Sequence, residues 1–362
     1  MAEQDRTQEL QAALEQALAG DMPVAIRGGG SRAHFNLAPG DNPLSAAAHR
    51  GVIDYQPDEL MLRVRAGTPI AELETLLAAE GQRFAADIPQ PAEHSTIGGA
   101  IACGWDGPAR PAGMSLRDTV LGCRMLNGRG QLVSFGGQVM KNVAGYDLSR
   151  LQVGALGTLG VLLDVSLRLL PQPECTENRS FTVSAAQLPD WWEKLRALRP
   201  LLRASCFVGT SGSVDAGGLM EGKLHLRLSG RKSALKAALQ KLGGEPSAFD
   251  WRALRNLRHE FFSAPQLACV VLPHFAELDI PLEETLIDWE GARIWVPNGD
   301  GVALQRAAAK RGGFVRVLRG PTLPVANGAG DWPRRIKDAF DPRGLFNREL
   351  FNTYFGGGQA CR

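Results

Sequence analysis

The chain has 362 residues, room for two or three domains at ~150 residues each. With 44% hydrophobic and 22% charged residues it is neither disordered nor a disulfide-stapled peptide. Its 40 basic and 38 acidic side chains leave a net charge of +2, too weak a field to make nucleic acid the partner. No stretch reaches the ~18 apolar residues of a membrane span, and Met1 to Gly20 lacks the basic start and apolar run of a secretion signal. Cys103, Cys123, Cys175, Cys206, Cys269 and Cys361 form no C-x-x-C pair. They read as reduced thiols of a cytoplasmic chain, with no metal site.

In chain order, Leu10, Leu14 and Leu18 recur at helical spacing, and Gly20 closes the segment. Pro23 to Ile26 reads as a short buried strand running into Arg27-Gly28-Gly29-Gly30-Ser31-Arg32. Leu60 to Arg65 alternates as a strand, and Pro69 to Glu80 reads as a helix with Thr68 as N-cap, Pro69 at the first position and Gly81 past the end. From Ile88 to Gly113 periodicity is lost in Pro, Gly and Ala. Thr119 to Met125 and Gln131 to Phe135 predict strands around a turn at Asn127-Gly128, a pair that accepts positive φ. Val161 to Leu170 predicts a strand stopped by Pro171 and Pro173, where a domain boundary falls. Beyond it, helices are expected at Trp191 to Leu198 and Ser233 to Leu242, with strands at Leu224 to Leu228, Cys269 to Leu272, Ala292 to Val296 and Phe314 to Leu318. This interleaving makes the whole α+β.

Three consecutive glycines after a strand offer several unhindered backbone N–H groups to one anion, the physics of a nest for a diphosphate. A flexible surface turn would look the same. Ser95-Thr96-Ile97-Gly98-Gly99-Ala100 offers a second close backbone approach with hydroxyls beside it. Gly154-Ala155-Leu156-Gly157-Thr158-Leu159-Gly160 is spaced G-x-x-G-x-x-G and leads into a strand, so it is not the G-x-G-x-x-G loop of a nicotinamide-binding fold, which opens a helix. A cofactor laid across loops from several segments accounts for all three clusters.

Arg27 to Ser31, Ser95 to Gly99, Lys141-Asn142-Val143-Ala144-Gly145-Tyr146-Asp147-Leu148 and Gly157 to Val161 resemble, in order and spacing, the FAD-binding domain of the vanillyl-alcohol oxidase (PCMH-type) family. The resemblance spans about residues 20 to 175, and Asp341 to Asn347 is similar to the segment by which that family returns to the flavin. It implies a two-lobed PCMH-type FAD-binding domain at 1–175, an α+β cap at 176–330 for substrate or partner, and a returning segment at 331–362. Within the family the chain is most similar to the smaller FAD-binding subunits of bacterial glycolate-oxidising complexes. By that resemblance, Arg27, Gly28, Gly29, Gly30 and Ser31 hold the FAD diphosphate. Ser95, Thr96, Gly98 and Gly99 lie along diphosphate and flavin, Gly157, Thr158, Gly160 and Val161 sit against the adenosine, and Asn347 approaches the isoalloxazine.

The resemblance further implies a larger FAD-binding catalytic subunit and an iron–sulfur subunit as partners, a small 2-hydroxyacid as substrate, and a place in the cytoplasm or at the inner membrane through the complex. Some relatives attach FAD through a histidine in the diphosphate loop. Here the loop reads Gly30-Ser31-Arg32-Ala33 with His34 beyond, so non-covalent FAD is expected. Catalytic relatives carry Ser-Glu where this chain has Ala155-Leu156, and paired metal-ligand histidines where His225, His259 and His274 are scattered. An intact cofactor site beside an incomplete substrate site follows as the expectation. His94, His274 and Arg110 are the candidate catalytic groups, as acid, base or carboxylate anchor. Arg117 and Lys141 share the cationic chemistry, although a surface charge is the commoner role. A stand-alone flavin oxidase for an alcohol or sugar lactone, or a non-catalytic FAD-binding subunit, are the competing functions.

Overall fold

The computed structural model describes residues 3–37, 40, 42–137, 147–214, 220–276, 284–323 and 330–356, with backbone alone at 34, 37 and 210–214. The chain forms two compact units: Met1–Asp106, Met114–Gln172 and Pro324–Arg362 make one, Gly107–Gly113 and Pro173–Leu323 the other.

The first unit begins with α1 (Thr7–Ala19), which buries Leu10, Leu14 and Ala17 on one stripe. Strands β1 (Ala25–Arg27) and β2 (Pro43–Ser45) then pair in parallel. There follow β3 (Val52–Gln56), β4 (Met61–Arg65), α2 (Ile70–Ala79), β5 (Gln82–Phe84), α3 (Ile97–Cys103), α4 (Leu116–Thr119), β6 (Val120–Leu126), β7 (Leu132–Gly136) and β8 (Val161–Pro171). The sheet runs β3-β4-β8-β6-β7, with β5 also pairing β8. Leu62, Val64, Val165 and Leu167 pack with Ile70, Leu73 and Leu77 of α2 in the core. On the opposite face the buried Asp164 accepts from Arg63 Nε at 2.9 Å and Arg124 Nε at 2.5 Å.

Three local expectations are corrected. Thr68 does not cap α2: its hydroxyl donates to Arg65 O and accepts from Gly51 N, while Ile70 N is satisfied by Ser95 O at 2.9 Å. The aperiodic stretch contains α3, whose two glycines hid it; Thr96 accepts from Gly99 N at its start, and Gly104 at φ 62° ends it. At the β6–β7 turn the positive φ belongs to Gly130 at 73°, because Asn127 Oδ1 accepts from Arg129 N and Gln131 N. Gly128 answers a packing demand instead, since a Cβ there would lie 2.6 Å from Asp341 Cα.

The second unit contains β9 (Cys175–Ser184), α5 (Leu188–Arg196), β10 (Leu202–Val214), β11 (Met220–Gly230), α6 (Lys232–Leu242), β12 (Glu245–Pro246), α7 (Trp251–Arg255), β13 (Leu267–Val271), β14 (Leu286–Asp288), β15 (Arg293–Pro297), α8 (Gly301–Lys310) and β16 (Phe314–Arg319). Its eight strands run β12-β9-β11-β10-β14-β15-β13-β16. Phe207, Leu224, Ile287, Ile294 and Val270 form one apolar face, packed with Leu188, Trp192, Leu195, Leu235 and Leu304. The chain then supplies the first unit with α9 (Trp332–Phe340) and α10 (Arg348–Tyr354).

On the other face of the eight-stranded sheet, Asp288 stands opposite Arg293 and accepts from its Nε at 2.6 Å. The guanidinium lies 4.0 Å from the Trp289 ring and 5.0 Å from that of Trp295. Both charges are buried, so Asp288→Asn should cost about 3 kcal/mol by removing the carboxylate that faces Arg293, and adding Arg293→Met should restore most of it. Urea unfolding of the two variants checks this.

His225 of the same face stacks on Phe249 at 4.1 Å, and burial, helped by Lys223 and His259, pulls it down to about 4. The folded state therefore refuses a proton that the unfolded state takes up near 6.5. Stability should fall as pH drops from about 6.5 to about 4, and His225→Gln should flatten that part of the urea-midpoint profile.

Candidate cofactor site

The loop after β1 is pressed against the segment before and within α3. A Cβ on Gly28 would lie 2.4 Å from Thr96 Oγ1, and one on Gly29 would lie 1.8 Å from His94 O, so neither position admits a side chain. Gly29 does not carry the positive φ. That belongs to Gly30, at 75° with nothing within 4 Å of its Cβ position. Among the described residues the amides of Gly30, Ser31 and Arg32 donate to no protein acceptor, which leaves consecutive N–H groups for an anion. Ser95 Oγ donates to Ser31 Oγ at 2.9 Å and ties the loop from behind.

The opposite wall is the 154–160 loop. Gly154 N donates to Ile101 O at 2.9 Å and Leu156 N to Ala102 O at 2.8 Å, so α3 carries this loop as well. Gly157, at φ 67°, comes close enough to Asn347 that a Cβ would stand 2.8 Å from its Nδ2. Asn347 adopts φ 39°, a conformation asparagine tolerates. Its Oδ1 accepts from Ile26 N at 2.7 Å while Nδ2 donates to Leu156 O at 2.7 Å, joining β1 to the far wall. Behind it, buried Lys337 donates to Thr158 O at 2.7 Å, Asp341 Oδ2 at 2.6 Å and Phe346 O at 2.8 Å. Burial pulls the Lys337 ammonium below the usual lysine range, and Asp341 resists that shift.

One cleft thus collects Arg27, Gly28, Gly29, Gly30, Ser31, Thr96, Gly98, Gly99, Gly157, Gly160 and Asn347. Ser95, Thr158 and Val161 are buried behind its walls rather than lining it. His94 is exposed; its carbonyl presses on the glycine loop, and its ring Cδ2 lies 3.4 Å from the Cβ position of Gly29. Arg110 and His274 are exposed residues of the second unit, with the Arg110 guanidinium 5.6 Å over the Trp289 ring. Lys141 to Tyr146 and the His34 side chain lie outside the described residues. Sequence reasoning missed Cys103, Gln152 and Leu350 as lining residues, and it gave no role of their own to Arg32 and Leu156, which stand within the glycine clusters.

The arrangement fits FAD: a bare-backbone cradle with free amides at one end, then an apolar channel past Ala66, Leu156 and Leu162. Glycine loops from separated segments, held by one short helix beside an antiparallel sheet, define an FAD-binding oxidoreductase of the PCMH-type fold. The family described as "FAD binding domain" matches residues 2–136. Glycolate oxidase subunit GlcE of Escherichia coli is 35% identical over 96% of this chain and 97% of its own length. D-lactate dehydrogenase of Archaeoglobus fulgidus is 29% identical over 51% of this chain and 40% of its own, and glycolate oxidase subunit GlcD of Bacillus subtilis 30% over 42% and 33%. A solved alkyldihydroxyacetonephosphate synthase shares the fold at TM-score 0.68 and 16% identity, covering 94% of this chain and 75% of that one. The chain belongs to the family of glycolate oxidase subunit GlcE, with FAD as its cofactor.

Gly29→Val should abolish FAD retention and leave the chain soluble, because the strain falls on a cleft loop. Asn347→Ala, which cuts both ties across the cleft, should weaken FAD binding about 10-fold or more and destabilise by about 2 kcal/mol. Flavin fluorescence titration and urea unfolding read the two effects.

Proposed function

We propose that this chain is the FAD-binding subunit of a complex that oxidises glycolate, or a close 2-hydroxyacid, to the 2-oxoacid and passes the electrons to an iron–sulfur subunit. The observation that carries the reading is similarity to GlcE along nearly the whole of both chains, whereas the dehydrogenase and GlcD matches cover only part of theirs. Bound FAD supplies the acceptor for the hydride equivalent of the substrate C–H bond. The chain's own residues hold that cofactor between the Gly28–Ser31 loop and the Gly157 wall, and Leu156 presents an apolar side chain where catalytic relatives have an acid. Arg110 is the candidate for a substrate carboxylate, and His94 and His274 for the hydroxyl proton. A larger flavoprotein subunit completes the substrate site. The 1–175, 176–330 and 331–362 divisions serve as cofactor domain, cap and return segment.

FAD is held non-covalently in this reading, since no histidine stands in Gly30 to Ala33. The complex would lie in the cytoplasm or peripherally at the inner membrane; among the described residues no helix is long and apolar enough to cross one.

Acid precipitation should release the flavin into the supernatant. The purified chain alone should oxidise glycolate or D-lactate with an artificial acceptor some 10²–10³-fold more slowly than the assembled complex, the scale of one lost catalytic charge interaction. Turnover by the isolated chain at several per second, inside the ordinary range of ~1–10³ s⁻¹, would overturn the division of labour.

A further inference from the structure

Buried basic side chains in this protein come with a carboxylate. Arg65 pairs with Glu3 and Asp5, Arg293 with Asp288, and Lys337 with Asp341. Arg32 breaks the pattern. It is 5% exposed, lines the cofactor cleft, and has no carboxylate within ion-pair distance among the described residues. Its Nη2 donates to Pro89 O at 2.6 Å, and the guanidinium stands 5.7 Å over the Trp105 ring. Nη1 reaches to 4.0 Å from the Cβ position of Gly99, and Nε has no hydrogen-bond partner at all. Cys103 lies near as well, but one neutral carbonyl, one indole face and a thiol do not repay the desolvation of a full positive charge.

We propose that Arg32 is the fixed cationic partner of the FAD diphosphate, a charge buried in the cleft whose counter-ion arrives with the cofactor. The proposal rests on FAD occupying this cleft. The diphosphate is preferred to the flavin ring because it is anionic in every redox state, whereas the oxidised ring is neutral. It is also the group that the free amides of Gly30 and Ser31, on the same loop, are arranged to receive. A planar guanidinium suits phosphate oxygens and cannot escape burial by losing its proton, although burial pulls it below the usual arginine range.

A charge awaiting its partner has opposite effects in the two states of the protein, and this separates it from a merely structural arginine. In the cofactor-free chain Arg32→Met should raise Tm, by about 2–8 °C, because it removes an uncompensated buried charge. The same variant should bind FAD about 10- to 100-fold more weakly, and ADP, which keeps the diphosphate without the flavin, by the same factor. Riboflavin binding should be unchanged, and Arg32→Lys should recover part of the loss.

The measurements are thermal unfolding of the cofactor-free full-length chain and calorimetric titration with FAD, ADP and riboflavin, for wild type and both variants. A lowered Tm in cofactor-free Arg32→Met would make the residue a structural tie to Pro89 and overturn the proposal. So would unchanged FAD affinity. Unchanged ADP affinity with a shifted flavin reduction potential would place the guanidinium at the ring and overturn it equally. A wild-type chain that binds neither FAD nor ADP would instead overturn the cofactor reading beneath it.

Discussion

The cofactor cleft depends on a latch made near the end of the chain. Lys337 spends its three donors on Thr158 O, Asp341 and Phe346 O, and Asn347 then spans from Ile26 to Leu156. Asp341 Oδ2 also accepts from Phe346 N at 2.8 Å, so the bend between α9 and α10 is held by the same carboxylate that holds the lysine. Lys337, Asp341, Thr158, Phe346 and Asn347 are buried, and within a low dielectric each bond strengthens the next. Without the latch β1 and the 154–160 loop would lose their common support.

This arrangement explains why the first unit is assembled from three separate stretches of chain. The chain leaves it after Gln172 and returns from Pro324, so residues that close the cleft are separated in sequence by the whole second unit. Gly128 belongs to the same logic: it sits in a β-turn, yet what forbids a side chain there is Asp341. Contacts of such sequence separation carry a loop-closure cost that local structure cannot offset, so the cofactor site should be among the later features to form.

Buried charge is handled in two ways. Asp164 receives two arginines, and Asp288 and Asp341 each hold one cation, which leaves those sites complete within the chain. Among the described buried basic groups Arg32 alone has no carboxylate, only a carbonyl, an indole and the nearby Cys103, and it is the one that lines the cleft. Structural charges are thereby satisfied internally, while the charge facing the cofactor is satisfied from outside.

The glycine loops, the strands that feed them and half of the elements named in the second unit were legible in the residue pattern, because positive φ, close backbone approach and apolar periodicity are local demands that leave local marks. Strands β9 and β10 escaped, since their outward positions are polar or small and their apolar positions matter only once neighbours lie alongside. Helix α3 escaped because Gly98 and Gly99 lower its propensity, and packing on Ala66 and a threonine cap supply what propensity does not. Lys337 carried no mark in the sequence, and Arg32 only its place after the glycine loop. Whether a cation lies in water or in the protein interior, and what stands opposite it there, follows from chain segments tens to hundreds of residues away, and no local pattern encodes that distance.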